Sequence, residues 1–185
     1  MTLELGAPAP AFALPDPAGR IYTLGDFSAG QALLVAFICN HCPYVIHVLD
    51  GFVGFATDYR TRGLATVAIN ANDVAAYPED RPERMATLAK ARNFSFPYLY
   101  DESQDTAKVY GAVCTPDFFL FDASRHLAYR GRFDASRPRS AVPVTGSDLR
   151  RAADAILAGG PVPAEQLASQ GCSLKWKPGN EPDWA

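Results

Sequence analysis

A nearly continuous apolar run from Gln31 to Ile38, followed at once by the segment CNHCP at 39–43, constrains the fold more than any other feature. A strand that is apolar along its whole length is typical of the centre of a sheet, where both faces are covered. Pro43 suits the first turn of a helix, because the missing N–H costs nothing there. From Val45 to Tyr59, apolar residues recur at spacings of three and four, which predicts one buried helical face. The sequence therefore predicts a buried strand and a helix with two cysteines between them.

The order of the other predicted elements favours a mixed α/β fold, with a mixed sheet and helices on both of its faces. Residues 64–69 form a second apolar run, and 118–121 with 126–129 predict an antiparallel hairpin. Asp80 and Glu83 are spaced like a capping box for a helix over about 81–93, and Ser147 is the expected N-cap of a last helix. We predict one domain over 1–160. A C-terminal tail over 161–185 contains Cys172 and two tryptophans and is expected to dock on that domain.

Composition excludes several classes of function. The chain has 185 residues, a formal net charge of −3 and four cysteines. Nucleic-acid binders normally carry a basic field, and a membrane span needs an apolar run of roughly 18 residues, so we expect neither partner. Four cysteines are too few for a disulfide scaffold. The first six residues lack the basic and apolar regions of a signal peptide. We therefore expect a cytoplasmic protein, or a periplasmic one if a leader has been removed.

The two cysteines between the buried strand and the helix favour redox chemistry over packing. Cys39 is expected near the unsatisfied N–H groups and the positive dipole end of the following helix, which stabilise a thiolate. His41, as an imidazolium, would lower the pKa of Cys39 further. We therefore predict Cys39 as the nucleophile and Cys42, expected to be less exposed, as the resolving thiol.

Three segments carry a family resemblance: residues 35–43, residues 113–121 and residues 6–16. Together they resemble the thioredoxin superfamily of the redoxin type, which includes TlpA- and ResA-like thiol-disulfide oxidoreductases and alkyl hydroperoxide reductase/thiol-specific antioxidant proteins. The resemblance implies a thioredoxin-like fold with an N-terminal redoxin-type strand extension. It implies that Cys39 and Cys42 form the redox pair, that Pro116 is a cis-proline facing them, and that the backbone of Thr115 pairs with an extended substrate. Asn40 is a further candidate substrate-binding residue.

The leading hypothesis is a thiol-disulfide oxidoreductase with antioxidant relatives. Its redox-active Cys39–Cys42 disulfide serves in place of a cofactor. Its partners would be a protein or small-molecule thiol or disulfide, and an unidentified electron donor. A peroxidase using Cys39 is the first alternative, although Ala32 and Ala36 stand where peroxiredoxins place Pro and Thr before that cysteine. A redox-silent module that binds extended peptides is the second. We expect no metal, since structural zinc sites generally pair two Cys-x-x-Cys knuckles and this chain has one.

Two cysteines and three polar residues remain open at the level of sequence. Cys114 and Cys172 are either small buried hydrophobes or a thiol relay, in which the tail folds back and Cys172 exchanges with Cys114 or the active-site pair. Asn70, Asn72 and Asp73 follow the second buried strand. They either shape a turn or line a substrate groove at the sheet edge.

Overall fold

A five-stranded mixed sheet forms the centre of the fold in the computed structural model, which describes residues 3–184. In order across the sheet, its strands are Tyr98–Tyr100, Leu64–Asn70, Ala32–Phe37, Asp117–Phe121 and Leu127–Gly131. The first three are parallel, and Asp117–Phe121 is antiparallel to both of its neighbours. In chain order the elements are β1 (Ala13–Pro15), β2 (Ile21–Thr23), β3 (Ala32–Phe37), α1 (Pro43–Arg60), β4 (Leu64–Asn70), α2 (Pro82–Ala91), β5 (Tyr98–Tyr100), α3 (Asp105–Tyr110), β6 (Cys114–Thr115), β7 (Asp117–Phe121), β8 (Leu127–Gly131), α4 (Ser147–Leu157) and β9 (Cys172–Ser173).

Strand β3 is apolar throughout because it contributes to both halves of the core. Leu34 and Ala36 pack on one face of the sheet, in a cluster with residues of α1 and α4. Leu33, Val35 and Phe37 pack on the other face, in a cluster with residues of α3 and β7. All six residues of β3 are fully buried. Burying a large apolar side chain contributes about 1.5–3 kcal/mol to the stability of the folded chain. The burial of β3 therefore fixes the centre of the sheet and the position of the residues that follow this strand.

The predicted α/β layout and the predicted hairpin are confirmed, and two predicted N-caps are wrong. Helix α4 begins at Ser147 itself, with Gly146 as its N-cap. Asp80 does not cap α2, since it ends a short 3₁₀ turn over Pro78–Asp80 and the N-cap is Arg81. Pro82 occupies the first helical position, which moves the cap one residue beyond Asp80.

The C-terminal segment adds a two-stranded ladder beside the main sheet. Strand β9 pairs antiparallel with β6, so that Thr115 lies opposite Cys172 and Cys114 lies opposite Ser173. Leu174, 4% exposed, joins the core cluster that contains β3, and Trp176 packs against the same cluster. Within residues 3–184, none of the helices has the length and apolar character needed to cross a membrane.

Candidate active site

The two cysteines lie where β3 ends and α1 begins, and both are wholly buried. Cys39 follows the last residues of the strand, and Cys42 is the N-cap of α1. The Sγ of Cys39 is 3.3 Å from the Thr115 hydroxyl, and the protonated Cys42 thiol donates to the Thr115 carbonyl oxygen at 3.0 Å. The Thr115–Pro116 peptide bond is cis. The structure therefore brings the cysteine pair and the Thr115-Pro116 segment into direct contact. Because both cysteines are 0% exposed, the expectation that Cys42 is the less exposed thiol is wrong.

A buried carboxylate, Asp80, holds the segment between the cysteines in place. Its Oδ1 accepts hydrogen bonds from the backbone N–H groups of Asn40 at 2.7 Å and His41 at 3.3 Å. Its Oδ2 lies 2.7 Å from His41 Nδ1 and accepts a hydrogen bond from Asn72 Nδ2 at 2.8 Å. Asp80 is 0% exposed, so these contacts replace the water that it loses on burial. Sequence reasoning missed its part in the site, because its spacing to Glu83 imitates a capping box.

The side chains between the cysteines face this network. The ring of His41 stacks on Tyr77, with ring centroids 5.0 Å apart and planes at 9°. Asn40 donates from Nδ2 to the Glu79 carbonyl at 2.8 Å and accepts at Oδ1 from the Tyr98 hydroxyl at 3.1 Å. Asn70 also supports the network, since its Nδ2 donates to the Asp80 carbonyl oxygen at 2.8 Å. The side chain of Asn40 is therefore engaged within the domain, and its predicted substrate-binding role stays a prediction.

The electrostatic surroundings of the two thiols differ in sign. The Cys39 thiol donates to the Cys42 sulfur, and the N–H groups of Val45 and Cys172 also point at that sulfur; together they lower the pKa of Cys42. The same hydrogen bond, together with burial and the Asp80 carboxylate, raises the pKa of Cys39. Because the pKa of Cys39 is raised, the lowering by His41 that the sequence suggested does not decide the ionisation of this thiol. These directions favour the thiolate form at Cys42, whereas the sequence favoured it at Cys39. The assignment of the nucleophilic and the resolving thiol therefore stays a prediction.

The tail completes the site from the other side. Cys172 lies opposite Thr115 in the β6–β9 ladder, and its thiol is within hydrogen-bonding reach of the Cys42 sulfur. Adjacent residues of a strand face opposite sides, so Cys114 points away from this contact. Its thiol instead donates to the Pro116 carbonyl at 3.5 Å, and burial and Asp117 raise its pKa. The structure therefore joins Cys172, and not Cys114, to the cysteine pair.

Three atoms of metal-ligating type lie within 4.8 Å of one another, one each from Cys39, His41 and Asp80. The Asp80 carboxylate already contacts four donors of the chain, and those contacts account for its position. The cluster is therefore explained as a hydrogen-bond network around the first cysteine.

Comparison with known proteins places this site in a family. The family model described as "AhpC/TSA family" matches residues 5–130. The chain belongs to the AhpC/TSA family. The resemblance stated from the sequence is thereby confirmed, and the fold of this AhpC/TSA chain is thioredoxin-like.

Of three relatives of this AhpC/TSA chain, one has no named activity and the other two have names that indicate two different activities. It is 50% identical to a hypothetical protein of Sinorhizobium meliloti over 97% of this chain and 98% of that one, with a TM-score of 0.95. It is 29% identical over 110 residues to a Mycobacterium tuberculosis protein whose name proposes a peroxiredoxin, which is 60% of this chain and 65% of the relative. It is 25% identical over 122 residues to the thiol-disulfide oxidoreductase ResA of Bacillus thuringiensis, 65% of each chain. The chain thus spans about 65% of the length of these two curated relatives.

Proposed function

We propose that this protein is a thiol-disulfide oxidoreductase in which Cys42 attacks and Cys39 resolves. The Cys42 thiolate attacks one sulfur of a substrate disulfide, forming a mixed disulfide and releasing the other sulfur as a thiolate. Cys39 then loses its proton and attacks the Cys42 sulfur, which releases the second substrate thiol. Two electrons pass to the substrate, and a Cys39–Cys42 disulfide remains. Reversed, the same steps oxidise a dithiol.

The observation that carries this proposal is that Cys39 and Cys42 lie together between β3 and α1, each with its sulfur against Thr115, and that their pKa values shift in opposite directions. A nucleophilic thiol needs a stabilised thiolate, and the Cys39 thiol, followed by the backbone N–H groups of Val45 and Cys172, lowers the pKa of Cys42. A resolving thiol must keep its proton until the mixed disulfide exists, and the hydrogen bond to the Cys42 sulfur, burial and Asp80 favour that form of Cys39. This assigns the two roles in the reverse of the order that the sequence suggested.

The residues around Cys39 also offer a proton acceptor. Ligand-type atoms of Cys39, His41 and Asp80 lie within 4.8 Å of one another. The His41–Asp80 pair can take the Cys39 proton as that sulfur attacks, and His41, only partly buried, can pass it to water. His41 therefore keeps a catalytic role in this proposal, as the acceptor for the resolving thiol and not as a cation that activates Cys39.

A redox titration in glutathione buffers tests the proposal. We expect Cys39 and Cys42 to oxidise together as a two-electron couple, read by alkylation and peptide mass spectrometry. Because a stabilised Cys42 thiolate favours the reduced form, we expect a midpoint above the value of about −270 mV for thioredoxin. Failure of Cys39 and Cys42 to pair in any buffer would remove the proposed disulfide and with it the function.

A peroxidase is the second candidate function, and the burial of both cysteines supports it. Both sulfurs are 0% exposed, so a small oxidant reaches them with less rearrangement than a protein disulfide does. The pKa directions assign a peroxidatic role to Cys42 in place of Cys39. Measured consumption of hydrogen peroxide by the reduced protein separates the two activities. The peptide-binding alternative is weakened, because residue 172 of the same chain occupies the ladder position opposite Thr115.

A further inference from the structure

Residues 171–173 of the tail lie where the resemblance places an extended substrate. In redoxin-type proteins the residue before the cis-proline is expected to pair with substrate through its backbone. Here Thr115 pairs antiparallel with Cys172, so the chain's own backbone occupies this position. Leu174 extends the contact by donating its N–H to the Val113 carbonyl at 3.1 Å. The tail thus presents a cysteine to the redox pair in the way that a substrate peptide would.

Gly171 makes this close approach to the Thr115-Pro116 segment feasible. A Cβ at residue 171 would overlap the Thr115 carbonyl oxygen, would lie 2.6 Å from its carbon and would be 3.1 Å from the Pro116 nitrogen. These are rigid backbone atoms, so any side chain at 171 must push the tail away from the ladder. The position of Cys172 in the β6–β9 ladder therefore depends on a glycine immediately before it.

Contacts on both sides of Cys172 hold the tail in place. Before it, the Ser169 hydroxyl contacts Asp117 Oδ1 at 2.7 Å and the Gly131 carbonyl at 2.8 Å. After it, the N–H of Lys175 donates to Asn72 Oδ1 at 2.9 Å, and the Lys175 carbonyl accepts from the Asp73 N–H at 2.8 Å. These fixed ends limit the positions that residue 172 can take and keep its sulfur beside that of Cys42.

We propose that Cys172 is a third redox-active thiol, which forms with Cys42 a disulfide that pins the tail across the Thr115-Pro116 groove. This inference rests on the proposed function, since it uses Cys42 as the attacking sulfur. With a low-molecular-weight disulfide as oxidant, Cys42 first forms a mixed disulfide and releases one small thiol. Cys172 then loses its proton, attacks the Cys42 sulfur and releases the second small thiol, so that two electrons have left the protein.

The pinned form converts to the Cys39–Cys42 form without further oxidation. The Cys39 thiolate attacks the Cys42 sulfur, a Cys39–Cys42 bond forms, and Cys172 leaves as a thiolate. Burial and then the neighbouring Cys42 raise the pKa of Cys172 to about 11, while Lys175 opposes the shift. Once Cys42 is held in a mixed disulfide it carries no negative charge. Its part of the shift is then lost, and Cys172 ionises more readily when it is needed as the attacking group.

Peptide mapping of the full-length chain tests this proposal directly. Trypsin places Cys39 and Cys42 together in peptide 21–60, Cys114 in 109–125 and Cys172 in 152–175. After equilibration with reduced and oxidised glutathione, acid quenching and alkylation, we expect two oxidised species. One is peptide 21–60 with an internal disulfide, and the other is 21–60 linked to 152–175.

Variants assign the linked species and provide its controls. Cys39→Ser should keep the link between 21–60 and 152–175 and enrich it, because the competing disulfide is gone, whereas Cys42→Ser should abolish it. Cys114→Ser should leave its yield unchanged. Gly171→Ala should lower its yield in the otherwise unchanged chain by about tenfold through overpacking against Thr115. Gly160→Ala should not, because its Cβ would meet only the Ala155 carbonyl oxygen at an ordinary contact distance of 3.6 Å.

The outcomes separate this inference from the proposed function. If peptide 21–60 forms its internal disulfide but no linked peptide appears at any glutathione ratio, Cys172 is not redox-active and the oxidoreductase proposal stands. If the linked peptide forms and the internal disulfide never does, the Cys39–Cys42 couple fails while the tail disulfide is supported. A link that persists in Cys42→Ser would assign it to Cys39 and overturn the proposed pairing.

Discussion

Two sulfurs only three residues apart in sequence lie in opposite surroundings. On the Cys39 side the chain places a fully buried carboxylate, held by the backbone of residues 40 and 41 and by two side chains. On the Cys42 side it places the N-terminus of an 18-residue helix and the backbone of the tail. Negative charge is disfavoured on the first sulfur and favoured on the second. The difference teaches that a symmetrical motif, Cys-x-x-Cys, obtains its asymmetry from residues far from it in sequence.

One residue joins the two sides. Asn72 donates from Nδ2 to Asp80 on the Cys39 side and accepts at Oδ1 from the Lys175 N–H of the tail. Both contacts are about the length of an ordinary hydrogen bond, and Asn72 is buried. The position of the tail over Cys42 is therefore tied to the position of the carboxylate beside Cys39.

Removal of the Asp80 carboxylate is expected to have the largest effect on the difference between the two cysteines. Asp80→Ala leaves buried donors of residues 40, 41 and 72 without their acceptor, and we expect a loss of about 3 kcal/mol in the free energy of unfolding. Urea denaturation of the reduced protein measures it. Glu79→Ala, at an exposed neighbouring position, is the matched control and should change stability by less than about 0.5 kcal/mol. Equal losses in the two variants would show that the Asp80 contacts contribute little.

The second prediction concerns the neighbouring Cys39 thiol, which is the largest cause of the lowered pKa of Cys42. The Cys39 thiol donates to the Cys42 sulfur, so Cys39→Ala should raise the pKa of Cys42 by about one unit or more. Cys39→Ser keeps a donor at this position and should raise that pKa less. Ultraviolet thiolate absorbance followed through a pH titration gives both values. A pKa that is the same in wild type and Cys39→Ala would mean that the helix N-terminus and the backbone N–H groups alone set it.

The same lowered pKa predicts how stability depends on pH. Cys42 ionises more easily in the folded than in the unfolded chain, whose thiols have a pKa of about 8.5. The stabilisation by its thiolate is therefore complete above about pH 8.5 and is lost as the pH falls through the lower folded-state value. The reduced wild type should gain stability relative to Cys42→Ala as the pH rises toward about 8.5. A difference that shrinks over this interval would contradict the shift.

Local pattern was enough to predict the strand, the helix and the cysteine pair. The apolar run of β3, Pro43 and the helical spacing of α1 all lie within one stretch of chain, and they agree with one another. The hairpin of β7 and β8 was predictable for the same reason. Rules about strands and helix starts depend on residues close together in sequence. They therefore predict best those parts of a site that one short segment provides.

Asp80 and the tail were not predictable in this way, because their contacts span long stretches of chain. Asp80 lies 40 residues from Asn40 in sequence, and its spacing to Glu83 is also that of a capping box. Pro82 was the signal against a capping box, since a proline in the first helical position assigns the N-cap to Arg81. The β6–β9 ladder is made by backbone atoms, which carry no side-chain signature, and the close approach of Gly171 exists only in the folded chain.

The smallest expected effect concerns His41 and tests whether it acts through Asp80. Its Nδ1 lies 2.7 Å from Asp80 Oδ2, and an N–H at this atom offsets part of the negative charge by which Asp80 contributes to the raised pKa of Cys39. In a Cys42→Ser background, where one thiol titrates at the pair, His41→Ala should raise the pKa of Cys39 by less than about one unit. His126→Ala removes an exposed histidine of the β7–β8 turn and should leave it unchanged. Thiolate absorbance in the two variants measures the difference. An unchanged pKa of Cys39 in His41→Ala would confine His41 to positioning the segment between the cysteines.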